Sequence, residues 1–116
     1  MAMIAALVSL VVMPLSAQAG GRLAPEIIQR VVRRHFRSFR RCYEDGLRNC
    51  PNLNGRVTVT FVIERDGRVR RASGKADIPD AAVIACVVRR FRSLVFPAPN
   101  GGSVTVSYPI LFNPGG

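Results

Sequence analysis

The chain has 116 residues and sets 17 Lys or Arg against 7 Asp or Glu, a formal net charge of +10, which bounds it to one small domain with a strongly cationic surface. Its 48% hydrophobic content excludes a disordered tail, and no apolar run reaches the roughly 18 to 20 residues that cross a bilayer, which excludes a polytopic membrane protein. One His, no Trp and three Cys leave too few reactive side chains for most catalytic constellations.

Met3 to Leu15 is almost continuously apolar and is followed by Ser16-Ala17-Gln18-Ala19-Gly20. Small residues at Ala17 and Ala19 form an A-x-A cleavage site, so residues 1–19 read as a signal peptide and 20–116 as the mature domain. No charged residue is lost on cleavage. The expected destination is the periplasm or the exterior, where cysteines tend to pair.

Pro25 and Glu26 open a helix, since Pro is tolerated at the first helical position and an acid complements the dipole there. Ile28, Val31, Val32, Phe36, Phe39, Tyr43 and Leu47 then recur at intervals of three and four, predicting one amphipathic helix over Pro25 to Arg48. On that helix Arg30, Arg33, Arg34, Arg37, Arg41, Glu44 and Arg48 fall within about 100° of one another, opposite the apolar stripe. After the breaker-rich Cys50 to Gly55, the period changes to two: Val57, Val59, Phe61 and Ile63 alternate with polar residues, as in a half-buried strand. A hairpin follows at Asp66-Gly67. A three-residue loop of Arg65, Asp66 and Gly67 pairs Ile63 with Val69 and keeps Val69 on the apolar face, so Gly67 is expected in the left-handed conformation beside a bulge.

Asp77 is placed to cap a second helix, whose apolar face is Val83, Ile84, Val87, Val88, Phe91, Leu94 and Val95, and Phe96-Pro97-Ala98-Pro99 ends it. Ser103 to Phe112 is a last strand with Val104, Val106, Tyr108, Ile110 and Phe112 on one face. Pro109 lacks an N–H, which confines this strand to a sheet edge or its bonding gap to an unpaired position. The order helix, strand, strand, helix, strand predicts an α+β fold in which two helices pack on one face of a small three-stranded antiparallel sheet.

Several short strings in that order carry a family resemblance: Cys42-Tyr43-Glu44, Leu53-Asn54-Gly55-Arg56-Val57, Asp66-Gly67-Arg68-Val69, Cys86, Phe96-Pro97-Ala98-Pro99 and Val104-Thr105-Val106-Ser107-Tyr108-Pro109. Together, over about Leu23 to Phe112, they resemble the AgmX/PglI C-terminal domain, a TonB-like module of envelope proteins in myxobacteria and relatives. The resemblance implies a periplasmic, non-enzymatic, protein-interaction domain of TonB C-terminal architecture, in a family associated with gliding motility and envelope energy transduction. Such domains usually close a longer chain with a membrane anchor and a Pro-rich linker. Neither is written here, so the role expected to carry over is binding rather than transmission of force.

The resemblance also implies a disulfide between Cys42 and Cys86, and both residues lie on flanks of their helices' apolar stripes, where side-by-side helices allow the Cα separation of about 5.5 Å that a bridge needs. Pairing of Cys42 with Cys50 is disfavoured by the roughly 12 Å of helix between them. Three reduced thiols remain the alternative, and Cys50 is left free or available to another chain. His35 falls toward the apolar side of the first helix and reads as a packed core residue. His35 with Cys42 would need two further metal ligands that the sequence does not supply, Cys with His lacks an orienting third group, and no Gly-rich phosphate loop occurs. No catalytic residue, metal or cofactor is therefore expected.

Sixteen of the 17 basic residues are Arg, the residue suited to bidentate contact with carboxylate or phosphate. A solvated helix face, enriched in Arg by GC-rich codons, is the other reading of that feature. The expected partner is an envelope protein or peptide, held by Arg30, Arg33, Arg34, Arg37 and Arg41 together with the edge strand at Val104, Val106 and Tyr108. The alternative is an anionic envelope polymer, lipopolysaccharide or an acidic polysaccharide. Nucleic acid is not expected, because no aromatic residues interleave the Arg positions.

Overall fold

In a computed structural model, which describes residues 21–114, three strands pair antiparallel in the order β2-β1-β3: β1 is Gly55–Ile63, β2 is Val69–Ala76 and β3 is Val104–Phe112. The apolar segment from Met3 and the expected cleavage site at Ala19 lie outside the described residues. Three helices accompany the sheet: α1 (Pro25–Arg34), α2 (Phe36–Asn49) and α3 (Ala81–Arg92). The α+β architecture read from the sequence is therefore present, with one helix more than expected. Among the described residues no helix is long and apolar enough to cross a membrane.

The additional helix arises at His35. Nothing in Arg33-Arg34-His35-Phe36 breaks a helix by composition, yet the backbone at His35 adopts φ −106° and ψ 10°. α1 buries Ile28, Val31 and Val32, and α2 buries Phe39, Cys42, Tyr43 and Gly46. In an unbroken helix the stripe running through 28, 32, 39 and 42 passes through 35, which would press an imidazole into the core. The break turns His35 out instead. It is exposed, not packed in the core as the sequence suggested, and its Nδ1 donates to the Val31 carbonyl at 2.9 Å.

The hairpin follows its sequence reading closely. Ile63 faces Val69, Arg65 to Gly67 form the loop, and Gly67 has φ +90°. The register shifts between Val62 and Ile63, leaving Arg70 as the bulged residue. A side chain at Gly67 would run into the Phe96 carbonyl, while the Phe96 amide donates to the Gly67 carbonyl at 2.8 Å. Glycine at that position thus lets the segment after α3 lie against the hairpin.

α3 starts and stops later and earlier than its apolar pattern indicates. Its cap is Asp80, whose Oδ1 accepts from the Ala82 and Val83 amides at 3.0 and 3.1 Å. Asp77, expected as the cap, instead accepts from the Arg56 amide at 2.6 Å and closes the end of the β1–β2 ladder. The helix ends at Arg92, so Leu94 is buried from the connecting segment. Val95, read as part of the apolar face, is 64% exposed and bridges backbone with Arg68.

The core lies between the helices and one sheet face. Val57, Val59, Phe61 and Ile63 are fully buried, and Phe91 stacks on Phe39 at 4.6 Å and tilts against Phe61 at 5.1 Å. Cys42 of α2 is bridged to Cys86 of α3 with Cα atoms 5.7 Å apart, and Cys50 is free and exposed. Closing a loop across a separation of 44 residues restricts the unfolded chain by about 4 kcal/mol. Reduction with dithiothreitol is expected to lower the thermal midpoint by well over 10 °C without changing the far-ultraviolet circular dichroism of the folded state at 20 °C; a shift of a degree or two would show that the bridge contributes little.

Candidate partner-binding edge

The sheet has two edges and they differ in chemistry. β2 reads Val-Arg-Arg-Ala-Ser-Gly-Lys-Ala, with Arg70, Arg71 and Lys75 exposed. From α3, the Arg92 guanidinium donates to the Ala72 carbonyl at 3.3 Å, occupying an acceptor of that strand. Charged residues, a bulge and a capped carbonyl are devices that blunt an edge against pairing. β3 has none of these. From Val104 to Phe112 it carries no charge, and among the described residues no backbone hydrogen bond joins it to anything but β1. Pro109 lies on this edge strand, as expected of it, opposite Thr58.

β3 turns Val104, Val106 and Tyr108 inward. All three are buried, at 4%, 1% and 3% exposure, so what they can present to a partner is their backbone and not their side chains. The outward positions are Thr105, Ser107, Pro109 and Leu111; Ser107 Oγ lies 3.0 Å from Thr60 Oγ, and Leu111 is exposed.

The five arginines singled out in the sequence are all exposed, but the break at His35 divides them, three on α1 (Arg30, Arg33, Arg34) and two on α2 (Arg37, Arg41). The acids of α2 pair with other arginines: Glu44 sits 3.2 Å from Arg40 and Asp45 3.6 Å from Arg48. Among the described residues none of the five makes an ion pair. Burial pushes the Tyr108 phenol above its ordinary 10.0, and the Arg33 charge partly offsets that rise.

Two features of this region escaped the sequence reading, Arg92 as a guard of the β2 edge and an apolar groove beside the start of β3, because both depend on residues far apart in the chain. Among the described residues no three His, Cys, Asp or Glu side chains converge as metal ligands would. Comparison with family models, with curated proteins and with solved structures gives no match.

Tyr43 behaves like Tyr108. Its phenol is buried and raised above 10.0 by desolvation, and it donates to the Leu53 carbonyl at 2.5 Å. Both groups are therefore more easily deprotonated in the unfolded chain than in the fold. The stability they contribute is complete below pH 10 and is lost as the pH climbs past it. Thermal melts between pH 8 and 11 should fall on the alkaline side of 10, with a shallower decline in Tyr108→Phe; an identical decline in that variant would refute the assignment.

Proposed function

We propose that this domain is a non-enzymatic interaction module of the cell envelope, exported to the periplasm or beyond, which takes an extended segment of a partner protein on the open edge of β3 with the arginines of α1 and α2 beside it. The observation that carries this reading is the asymmetry of the sheet. One edge is guarded by Arg70, Arg71, Lys75 and Arg92, and the other is a nine-residue uncharged strand. Among the described residues nothing pairs with that edge; such an edge invites aggregation, a liability that makes physical sense where pairing is the task, and strand addition supplies main-chain hydrogen bonds to whatever docks there. The Cys42–Cys86 bridge is in keeping with an oxidising compartment. The resemblance to the AgmX/PglI C-terminal domain supports the same class of role and links it, as a proposal, to envelope energy transduction and gliding motility.

A second reading draws on the exposed Arg30, Arg33, Arg34, Arg37 and Arg41, none of which is ion-paired among the described residues: a cationic face that holds lipopolysaccharide phosphates or an acidic polysaccharide.

Salt separates the two. A photo-crosslinking residue at Ser107, tested in an envelope fraction, is expected to capture a polypeptide, and one at Ser73 on the guarded edge is not. The Ser107 adduct should persist at about 0.5 M NaCl, where the screening length falls to about 4 Å. Binding that disappears between low and moderate salt, with no adduct specific to Ser107, would favour the polymer and defeat strand addition.

A further inference from the structure

The sheet face turned away from the helices has a chemistry of its own. In β1 the residues alternating with the buried Val57, Val59, Phe61 and Ile63 point to that face: Arg56, Thr58, Thr60 and Val62. Residues paired across strands share a face. Thr60 therefore stands between Ser73 of β2 and Ser107 of β3, a row of three hydroxyls across the sheet, with Thr60 Oγ1 and Ser107 Oγ 3.0 Å apart. Two residues from Ser73 in either direction are Arg71, beside Val62, and Lys75, beside Thr58. At the rise of a strand their Cα atoms are about 13 Å apart. Arg56 is the diagonal neighbour of Lys75, about 7–8 Å away between backbones, and the two border a depression of about 400 Å³ together with Thr58, Ala76 and Asp77.

Arg56, Arg71 and Lys75 are exposed, and among the described residues none of them is ion-paired. Two carboxylates border the face, one at each end. Asp77 gives its Oδ1 to the Arg56 amide, and Glu64 lies with Arg65 and Arg70 at the hairpin. Residues 1–20 and 115–116 include no Asp or Glu, so the part of the chain outside the described residues brings no acidic side chain to neutralise the three cations.

The composition of the face selects its occupant. Its apolar residues are split by the hydroxyl row, Val62 on one side and Pro109 and Leu111 on the other, so they do not form the apolar centre of a protein interface. The aromatic residues of the sheet, Phe61, Tyr108 and Phe112, are buried on the helix side, which leaves no platform for stacked bases. A second copy would set like charges against like. An extended chain that repeats carboxylates and hydroxyls fits. Guanidinium and ammonium groups donate to carboxylates, and Ser and Thr hydroxyls both donate and accept, as sugar hydroxyls do. We infer that this face seats an acidic polysaccharide, whose carboxylates meet Arg56, Arg71 and Lys75 and whose hydroxyls bond Ser73, Thr60 and Ser107. The inference is independent of strand addition at β3; it rests on the polymer reading for the class of ligand and gives that ligand a different seat from the arginines of α1 and α2.

The test uses the full-length chain and labelled polygalacturonate at low salt, read by fluorescence anisotropy, with dextran as a sugar chain without charge and polyphosphate as a charged chain without sugar. Polygalacturonate is expected to bind and dextran not to. Arg71→Glu combined with Lys75→Glu should weaken polygalacturonate binding about tenfold, the scale of losing two exposed ion pairs. Arg30→Glu combined with Arg34→Glu alters the net charge equally and should weaken it about twofold at most. Thr60→Val combined with Ser107→Ala leaves the charge unaltered; it should weaken polygalacturonate binding about fivefold and leave polyphosphate binding unchanged. Arg71→Gln with Lys75→Gln gives a milder probe should the acidic pair disturb β2. Weakening by the helix pair as large as that by the sheet pair would overturn this inference and leave the polymer on the helices. No effect of the hydroxyl pair, or an equal effect on polyphosphate, would overturn the contact with sugar. Absence of polygalacturonate binding by the unaltered chain would overturn both this inference and an acidic polysaccharide on the helices.

Discussion

One aromatic ring joins most of this molecule. Phe91 lies parallel to Phe39 at 4.6 Å and tilts against Phe61 at 5.1 Å, so α3, α2 and the central strand share a contact from which water is excluded. The bridge from Cys42 to Cys86 lies between the same two helices. With α2 and α3 held together over the same face of the sheet, no helix among the described residues lies on the opposite face, and the two edge strands, β2 and β3, are flanked by different elements. The surface chemistry of the domain follows from that placement.

The two edges then meet different constraints. β2 is next to α3, and the last turn of that helix brings Arg92 to the Ala72 carbonyl. β3 is next to α1 and residues 21–24, which contribute apolar side chains but, among the described residues, no group that donates to its backbone. A sheet of three strands cannot hide its edges by closure, and here the charges are all spent on one of them. Beside the other edge, α1 carries the exposed Arg30, Arg33 and Arg34 on the helix whose Ile27 and Ile28 face the start of β3.

The helix break at His35 contributes to this arrangement. It separates the buried faces of α1 and α2, so that α1 can cover the start of β3 through Ile28 while α2 reaches its far end through the stack of Tyr43 on Phe112 at 4.8 Å. A single straight helix would carry both sets of residues on one stripe and bring His35 with them. The cost of burying an unpartnered imidazole and the gain from covering the whole length of β3 both favour the break.

Amino-acid order alone determined the strands, the hairpin and the apolar faces, because these are matters of local periodicity: Val57, Val59, Phe61 and Ile63 alternate whatever lies above them, and Gly67 follows Asp66 where a three-residue loop needs a positive φ. The pairing of Cys42 with Cys86 was legible through the resemblance and the flank positions of the two residues. Other features were decided only by packing. Asp80 and not Asp77 caps α3, since Asp77 is drawn to the Arg56 amide across the ladder; α3 stops before Val95, since Phe96 is tied to Gly67; and the groove beside β3 exists only where residues 23 to 28 meet 98 to 106. Which edge is open belongs with these. A strand's sequence states its charges, but the guanidinium that reaches its carbonyl comes from another element, and only the folded chain brings the two within 3.3 Å.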